Sequence, residues 1–258
     1  MIYGGGATGA CSNDLFTSTT GATWIKVASS GPQVKYAPSA LDGSGCVWLM
    51  GGQCTATETA TIYKTCTGSP TWSALPVPSV VPPSGTWPET MTGHAITIVG
   101  GWQLVVVDAV GGKVYTALAT VAATMKLVAS TVPFASRKDP MLLATSDNKL
   151  YPMGSHNCND ATCTNNAAFT DVWMSQEVTT GGITSEVGAT WTCETANYDP
   201  SFTSTYTKGI GRYVSPVITH DDTLWLMGGH VPNTTAGRNI VCTGYASSLA
   251  VSRVRRCF

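Results

Sequence analysis

Apolar residues in this chain come in strand-sized runs, some alternating with polar residues and some continuous. Gly, Pro, Ser and Thr separate the runs, and long amphipathic stretches of helical period are scarce. That pattern predicts β-strands joined by tight turns. Two runs are nearly the same phrase: "GCVWLMGG" at 45–52 and "DTLWLMGG" at 222–229. A phrase written twice at that distance points to an internal repeat, and an internal repeat decides the architecture.

The phrase belongs to a recurring order of parts. After "LMGG" come a loop, a second strand such as "TATIYKT" (59–65) and a Trp-containing strand such as "PTWSAL" (70–75). The chain opens with the same order in "MIYGGG" (1–6), "NDLFTS" (13–18) and "GATWIKV" (21–27). It returns as "NKLYPMGS" (148–155), "TDVWMS" (170–175) and "GATWTCE" (188–194), and more loosely as "WQLVVVDA", "KVYTA" and "TMKLVAS" between 102 and 130. An apolar segment precedes each full copy, as in "YAPSALD" (36–42) and "DPMLLAT" (139–145), which makes four short strands per unit. The Gly-Gly position or its equivalent falls near residues 5, 52, 109, 154 and 229. Units of roughly fifty residues with four strands predict propeller blades. The expected fold is therefore all-β, a single β-propeller over 1–258, with approximate blades at 1–30, 31–76, 90–131, 136–195 and 210–256. Gly-Gly frees the backbone to turn where side chains would collide, and a Trp on the fourth strand wedges between sheets. The first unit starts at its second strand. Either "SLAVSRV" (248–254) supplies the missing inner strand and closes the ring, or the chain is a piece of a longer one. Closure is the expectation, because an open ring exposes an edge.

With Gly51-Gly52, Gly228-Gly229, the segment Asn13-Asp14-Leu15-Phe16, its echo Thr170-Asp171-Val172-Trp173, and Trp24, Trp72 and Trp191, the chain resembles the kelch-repeat β-propeller family. "STTGATW" (18–24) resembles more weakly the Asp-box turn of sialidase-type propellers, with Thr20 where the aspartate would stand. The resemblance implies about five four-stranded kelch-like blades and leaves function open, since propellers host many.

Composition narrows the setting. Charged residues are 11% and the net charge is -1, which argues against a field that gathers nucleic acid. No apolar stretch is long enough to span a membrane as a helix. Nine cysteines, without CxxC or a zinc-spaced Cys/His set, point to an oxidising compartment. Short loops make Cys54 with Cys66 and Cys158 with Cys163 candidate disulfides, the alternative being reduced core thiols. An odd count leaves one thiol over, and Cys257 beside the C-terminus is the expected one, available for an inter-chain disulfide or self-assembly. Asn233 begins the sequon "NTT", a candidate glycosylation site. A secreted or extracellular location is expected. Residues 1–14 lack the features of a leader, so a mature form or fragment is expected with it.

Residues just before the innermost strands would ring a channel mouth. They are Lys35, Tyr36, His94, Arg137, Lys138, Arg212 and Tyr213, and they hold much of the scarce charge. They suit an anionic group or an acidic side chain of a partner. The kelch resemblance implies a rival role, an arginine bonding backbone carbonyls of the next blade. Trp87, in the proline-flanked loop "SGTWPET", and Trp102 lie outside the repeated Trp position. Trp87 is expected to be exposed and to suit a sugar ring or protein anchor, the alternative being packing over a blade end. No metal or cofactor site is expected: His220 and His230 flank one strand, roughly 30 Å apart at ~3.3 Å per residue. No catalytic residue is assigned, because the chain has no G-x-S-x-G, P-loop or H-E-x-x-H. The expected function is a non-enzymatic extracellular module binding a protein or glycan, on the face bearing the insertions 76–92 and 176–210 and the inner-strand mouths. A structural subunit of a filament, wall or coat, and a glycan-active enzyme (sialidase-like or galactose-oxidase-like), are the alternatives.

Overall fold

The computed structural model describes residues 2–3, 10–20, 22–28, 31–54, 57–66, 69–76, 78–81, 87, 93–120, 124–157, 167–169, 171–180, 183–195, 217–220, 223–227, 241–245 and 256–257. Every regular element among them is a β-strand, so the fold is all-β. The first sheet holds β1 (Ile2–Tyr3), β2 (Leu15–Thr17) and β3 (Ile25–Ala28). The second holds β4 (Ser39–Leu41) and β5 (Cys46–Met50), then, past a small ribbon of β6 (Gln53–Cys54) and β7 (Thr57–Glu58), β8 (Ile62–Cys66) and β9 (Ser69–Ala74). The third contains β10 (Ser79–Val81), β11 (Ala95–Val99), β12 (Gln103–Asp108), β13 (Lys113–Leu118) and β14 (Thr124–Ala129).

The fourth sheet is β15 (Met141–Ala144), β16 (Leu150–Met153), β19 (Val172–Met174) and β22 (Thr192–Thr195). Two ribbons interrupt it: β17 (His156–Asn157) with β18 (Ala167–Ala168), and β20 (Val178–Thr180) with β21 (Ile183–Ser185). The fifth runs β23 (Val217–His220), β24 (Thr223–Met227), β25 (Val241–Tyr245) and β26 (Arg256–Cys257). Strands within each sheet are antiparallel neighbours in chain order, apart from β10, which lies parallel to β14 along the outer edge of the third sheet. From the second sheet to the fifth, one edge strand of each packs beside an edge strand of the next, here called the inner strands: β4 on β11, β11 on β15, and β15 on β23.

Two cores lie between successive sheets. One joins the second and third sheets through Trp48, Met50, Ile62, Leu104, Val106 and Tyr115. The other joins the third and fourth through Val105, Val107, Val114, Phe134 and Leu150. β12 explains its continuous apolar sequence: Leu104 and Val106 enter one core while Val105 and Val107 enter the other. A strand sandwiched between two sheets has no polar face. Trp48 is fixed as well as buried, its indole N–H donating to Asp42 at 2.9 Å. Burial alone would raise the Asp42 pKa, but that bond, the N–H groups of Cys46 and Ser44, and the Lys64 charge hold it below the ordinary value.

The Gly-Gly phrase has a steric cause. Gly51 and Gly52 both have positive φ, 61° and 85°. A Cβ on Gly51 would lie 2.6 Å from His94 Cε1 and 2.8 Å from the Thr59 carbonyl; on Gly52 it would lie 2.8 Å from the Lys35 carbonyl. The fourth sheet repeats the turn with Gly154 (φ 61°) and Ser155 (φ 93°). The third does not. Ala109, read from sequence as the equivalent position, lies in the tight turn from Asp108 to Gly112 that joins β12 to β13.

Several expectations need correction. Trp87 is buried, 8% exposed, with its indole N–H donating to the Ala60 carbonyl at 3.3 Å and its ring edge-on to Tyr115. It wedges between the second and third sheets. Cys54 and Cys66 do form disulfides, but not with each other: the pairs are Cys11–Cys54 and Cys46–Cys66. Cys66 stands opposite Cys46 in the β5–β8 register, and register outweighs the short loop that suggested the other pairing. Among the described residues the free thiol is Cys193, exposed on β22. The expectation for Cys257 is not corrected by this; its backbone stands opposite that of Cys242 in the β25–β26 register. The expected closing strand (248–254), Gly228, Gly229, Cys158, Cys163, Asn233, Arg212 and Tyr213 lie outside the described residues. β26, which follows that segment, forms the outer strand of its own sheet.

Candidate functional site

One end of the sheets gathers those of the nominated mouth residues that are described, Lys35, Tyr36, His94, Arg137 and Lys138. Tyr36 (φ 59°), Gly93 (φ 62°) and Asp139 (φ 52°) form the same left-handed turn before three successive inner strands. Their neighbours do meet: a Cβ on Gly93 would lie 2.6 Å from Lys138 Cα, and the Asp139 N–H donates to the Gly93 carbonyl at 3.1 Å. Proximity, however, does not leave them free. The His94 ring is buried, with Nε2 3.1 Å from the Met50 carbonyl of the second sheet. Arg137 is 1% exposed and engaged on every side. Its Nη1 and Nη2 donate to the two Asp171 oxygens at 2.6 and 2.7 Å, Nη1 also donates to the Gly154 carbonyl at 3.2 Å, and Nε donates to the Ala135 carbonyl at 3.1 Å. Phe134 and Phe169 stack against its guanidinium at 5.0 and 4.4 Å.

Asp171 also accepts the indole N–H of Trp173 at 2.7 Å. Burial by itself would raise its pKa, yet the hydrogen bonds and charge of Arg137 keep it lowered. Arg137, Asp171 and Trp173 are therefore one structural unit, and neither Arg137 nor His94 is available to a ligand at this end. Lys35 remains, 5.6 Å over the exposed Tyr36 ring, and half-buried Lys138, whose carbonyl accepts from the Ser155 hydroxyl.

The opposite end holds a cleft of about 370 Å³ between the third and fourth sheets. Its floor is the face of the third sheet turned to the fourth: Gln103 at the start of β12, Thr116 and Leu118 at the end of β13, Thr124 and Lys126 at the start of β14. The same face higher up carries Val105, Val107 and Val114, so the cleft is the polar continuation of the second core. Glu177, Glu186 and Val187 close it from the segment joining β19 to β22. Lys126 Nζ meets Glu186 Oε1 at 2.5 Å across the gap. Trp102 stands at the rim, 56% exposed, with Leu118 at 51%.

The turn fixes the Trp102 backbone. Gly100 and Gly101 both have positive φ, the Trp102 N–H donates to the Val99 carbonyl at 3.2 Å, and its carbonyl accepts from Ala119 N–H at 2.7 Å. The neighbouring turn adds a tie, Gly43 N–H donating to the Gly101 carbonyl at 2.8 Å. Sequence marked Trp102 as lying outside the repeat. It gave no sign that Lys126 and Glu186, sixty residues apart, would meet beside it. The 176–210 insertion was expected on the face of the inner-strand mouths. Antiparallel chain direction instead places its start, at the end of β19, at the opposite end.

No known protein family's sequence profile matches the chain, and no curated protein matches it.

Proposed function

We propose that the chain is a non-enzymatic binding module of β-propeller type that recognises a protein or glycan in an extracellular or lumenal setting. The single observation that carries this is the cleft between the third and fourth sheets. It sets an exposed, backbone-fixed indole beside hydroxyl, amide and carboxylate groups, a combination suited to recognition. The side-by-side inner strands and the kelch-like repeat support the propeller reading. The two disulfides support an oxidising compartment.

One observation favours a second reading, a structural subunit. On β3, the outer strand of the first sheet, Ile25 is 63% and Val27 40% exposed, next to Trp24 at 40%. Apolar side chains on a sheet edge invite lateral contact. Sedimentation velocity over a range of concentrations, with a parallel glycan and peptide screen, separates the two. The binding module sediments with a concentration-independent mass and binds saturably. A mass that rises with concentration and falls back in Ile25→Lys, with no ligand found, replaces it with the structural subunit.

A further inference from the structure

We infer that the cleft between the third and fourth sheets takes a neutral saccharide whose ring stacks on Trp102; this rests on the binding reading above. The chemistry of the lining selects the class. A sugar hydroxyl both donates and accepts, and the cleft offers both roles: the Gln103 amide, the Thr116 and Thr124 hydroxyls, and the acceptor-only Glu177 carboxylate. A pyranose with equatorial hydroxyls also has a flat C–H face, which an indole at the rim receives at little entropic cost. Leu118 beside it extends the apolar wall.

Charge excludes the acidic sugars. The cleft's ionised groups are Lys126, Glu177 and Glu186, two negative against one positive, and the Lys126 charge is already met by Glu186. A uronate, sialate or sulfate would face Glu177 with no cation left to pair with it. Size agrees, since about 370 Å³ lies near the small end of ligand pockets and suits a short oligosaccharide end rather than a long groove-bound chain. A peptide lysine or arginine is the competing occupant, because an indole and a carboxylate also attract cations.

The test uses the full chain on an array carrying neutral hexose and N-acetylhexosamine oligosaccharides, uronates, sialosides, sulfated glycans and lysine- or arginine-bearing peptides. Trp102→Ala, Trp102→Phe and Glu177→Gln are run alongside, with thermal unfolding as a check on fold. The expected result is binding to neutral oligosaccharides, weakened roughly tenfold or more by Trp102→Ala and largely kept by Trp102→Phe. Acidic glycans should give no signal until Glu177→Gln removes the repelling charge. Preferred binding of acidic glycans or basic peptides that Trp102→Ala still abolishes overturns the saccharide inference and leaves the cleft reading standing. Binding that ignores Trp102, or no binding to any class, overturns both.

Discussion

Gly51→Val is expected to destabilise the protein by about 3 kcal/mol, enough to move a urea midpoint clearly. Two costs combine. At φ 61° a β-branched residue is strained. Its Cβ would also lie 2.8 Å from the Thr59 carbonyl and 2.6 Å from His94 Cε1. The imidazole can swing aside, but only by giving up its contact with the Met50 carbonyl; the Thr59 backbone cannot move without disturbing the β7–β8 connection. Lys35→Ala at the same end removes a half-exposed charge and should stay within roughly 0.5 kcal/mol of the parent. Equal losses from the two changes would show that Lys35 is structural and that the account of the Gly-Gly turn is wrong.

Arg137→Leu is expected to cost about 3 kcal/mol near neutral pH, because it strips a half-buried carboxylate of its fully buried cation. The Gly154 carbonyl loses a donor, and Phe134 and Phe169 lose the plane packed against them. The pH dependence separates this from a generic packing defect. In the parent, the Asp171 pKa is lowered in the folded state. Its contribution to stability is therefore complete above the unfolded value of about 3.9 and drains away as pH falls through the lower folded value. In the variant, burial acts without the cation and pushes the Asp171 pKa up, so the penalty is greatest above that value. The gap between the two proteins should narrow as the pH drops below about 4, as measured by denaturant unfolding across that window. A gap that does not change with pH would mean that Arg137 acts through packing alone.

The repeat was legible because its cause is local. The left-handed turn after the second strand needs glycine where the backbone comes close, as at Gly51, Gly52 and Gly154, and apolar strands must separate such turns. Gly51 and Gly52 carry that cause in full view. The "TDVW" echo was visible too, although its purpose, giving Arg137 its carboxylate, shows only when residues 34 apart meet. Trp87 misled because prolines around it resemble an exposed loop; its hydrogen-bond partner, Ala60, lies 27 residues away in the β7–β8 connection. Cysteine pairing misled for a related reason, since spacing along the chain says less than the register of strands. The cleft was the least legible feature. Its groups come from three strands of one sheet and an insertion in the next, and only the antiparallel path of the chain sets them at the end opposite the nominated mouth.

The measurement that bears most directly on the central claim compares the two ends of the molecule. The affinity of the array ligand with the strongest signal is measured for Trp102→Ala and for the double variant Lys35→Ala/Lys138→Ala, beside the parent. A large loss, roughly tenfold or more, is expected in the first and nearly unchanged affinity in the second. The reverse result, with binding lost at Lys35 and Lys138 and kept without Trp102, would contradict it and return the site to the inner-strand mouths.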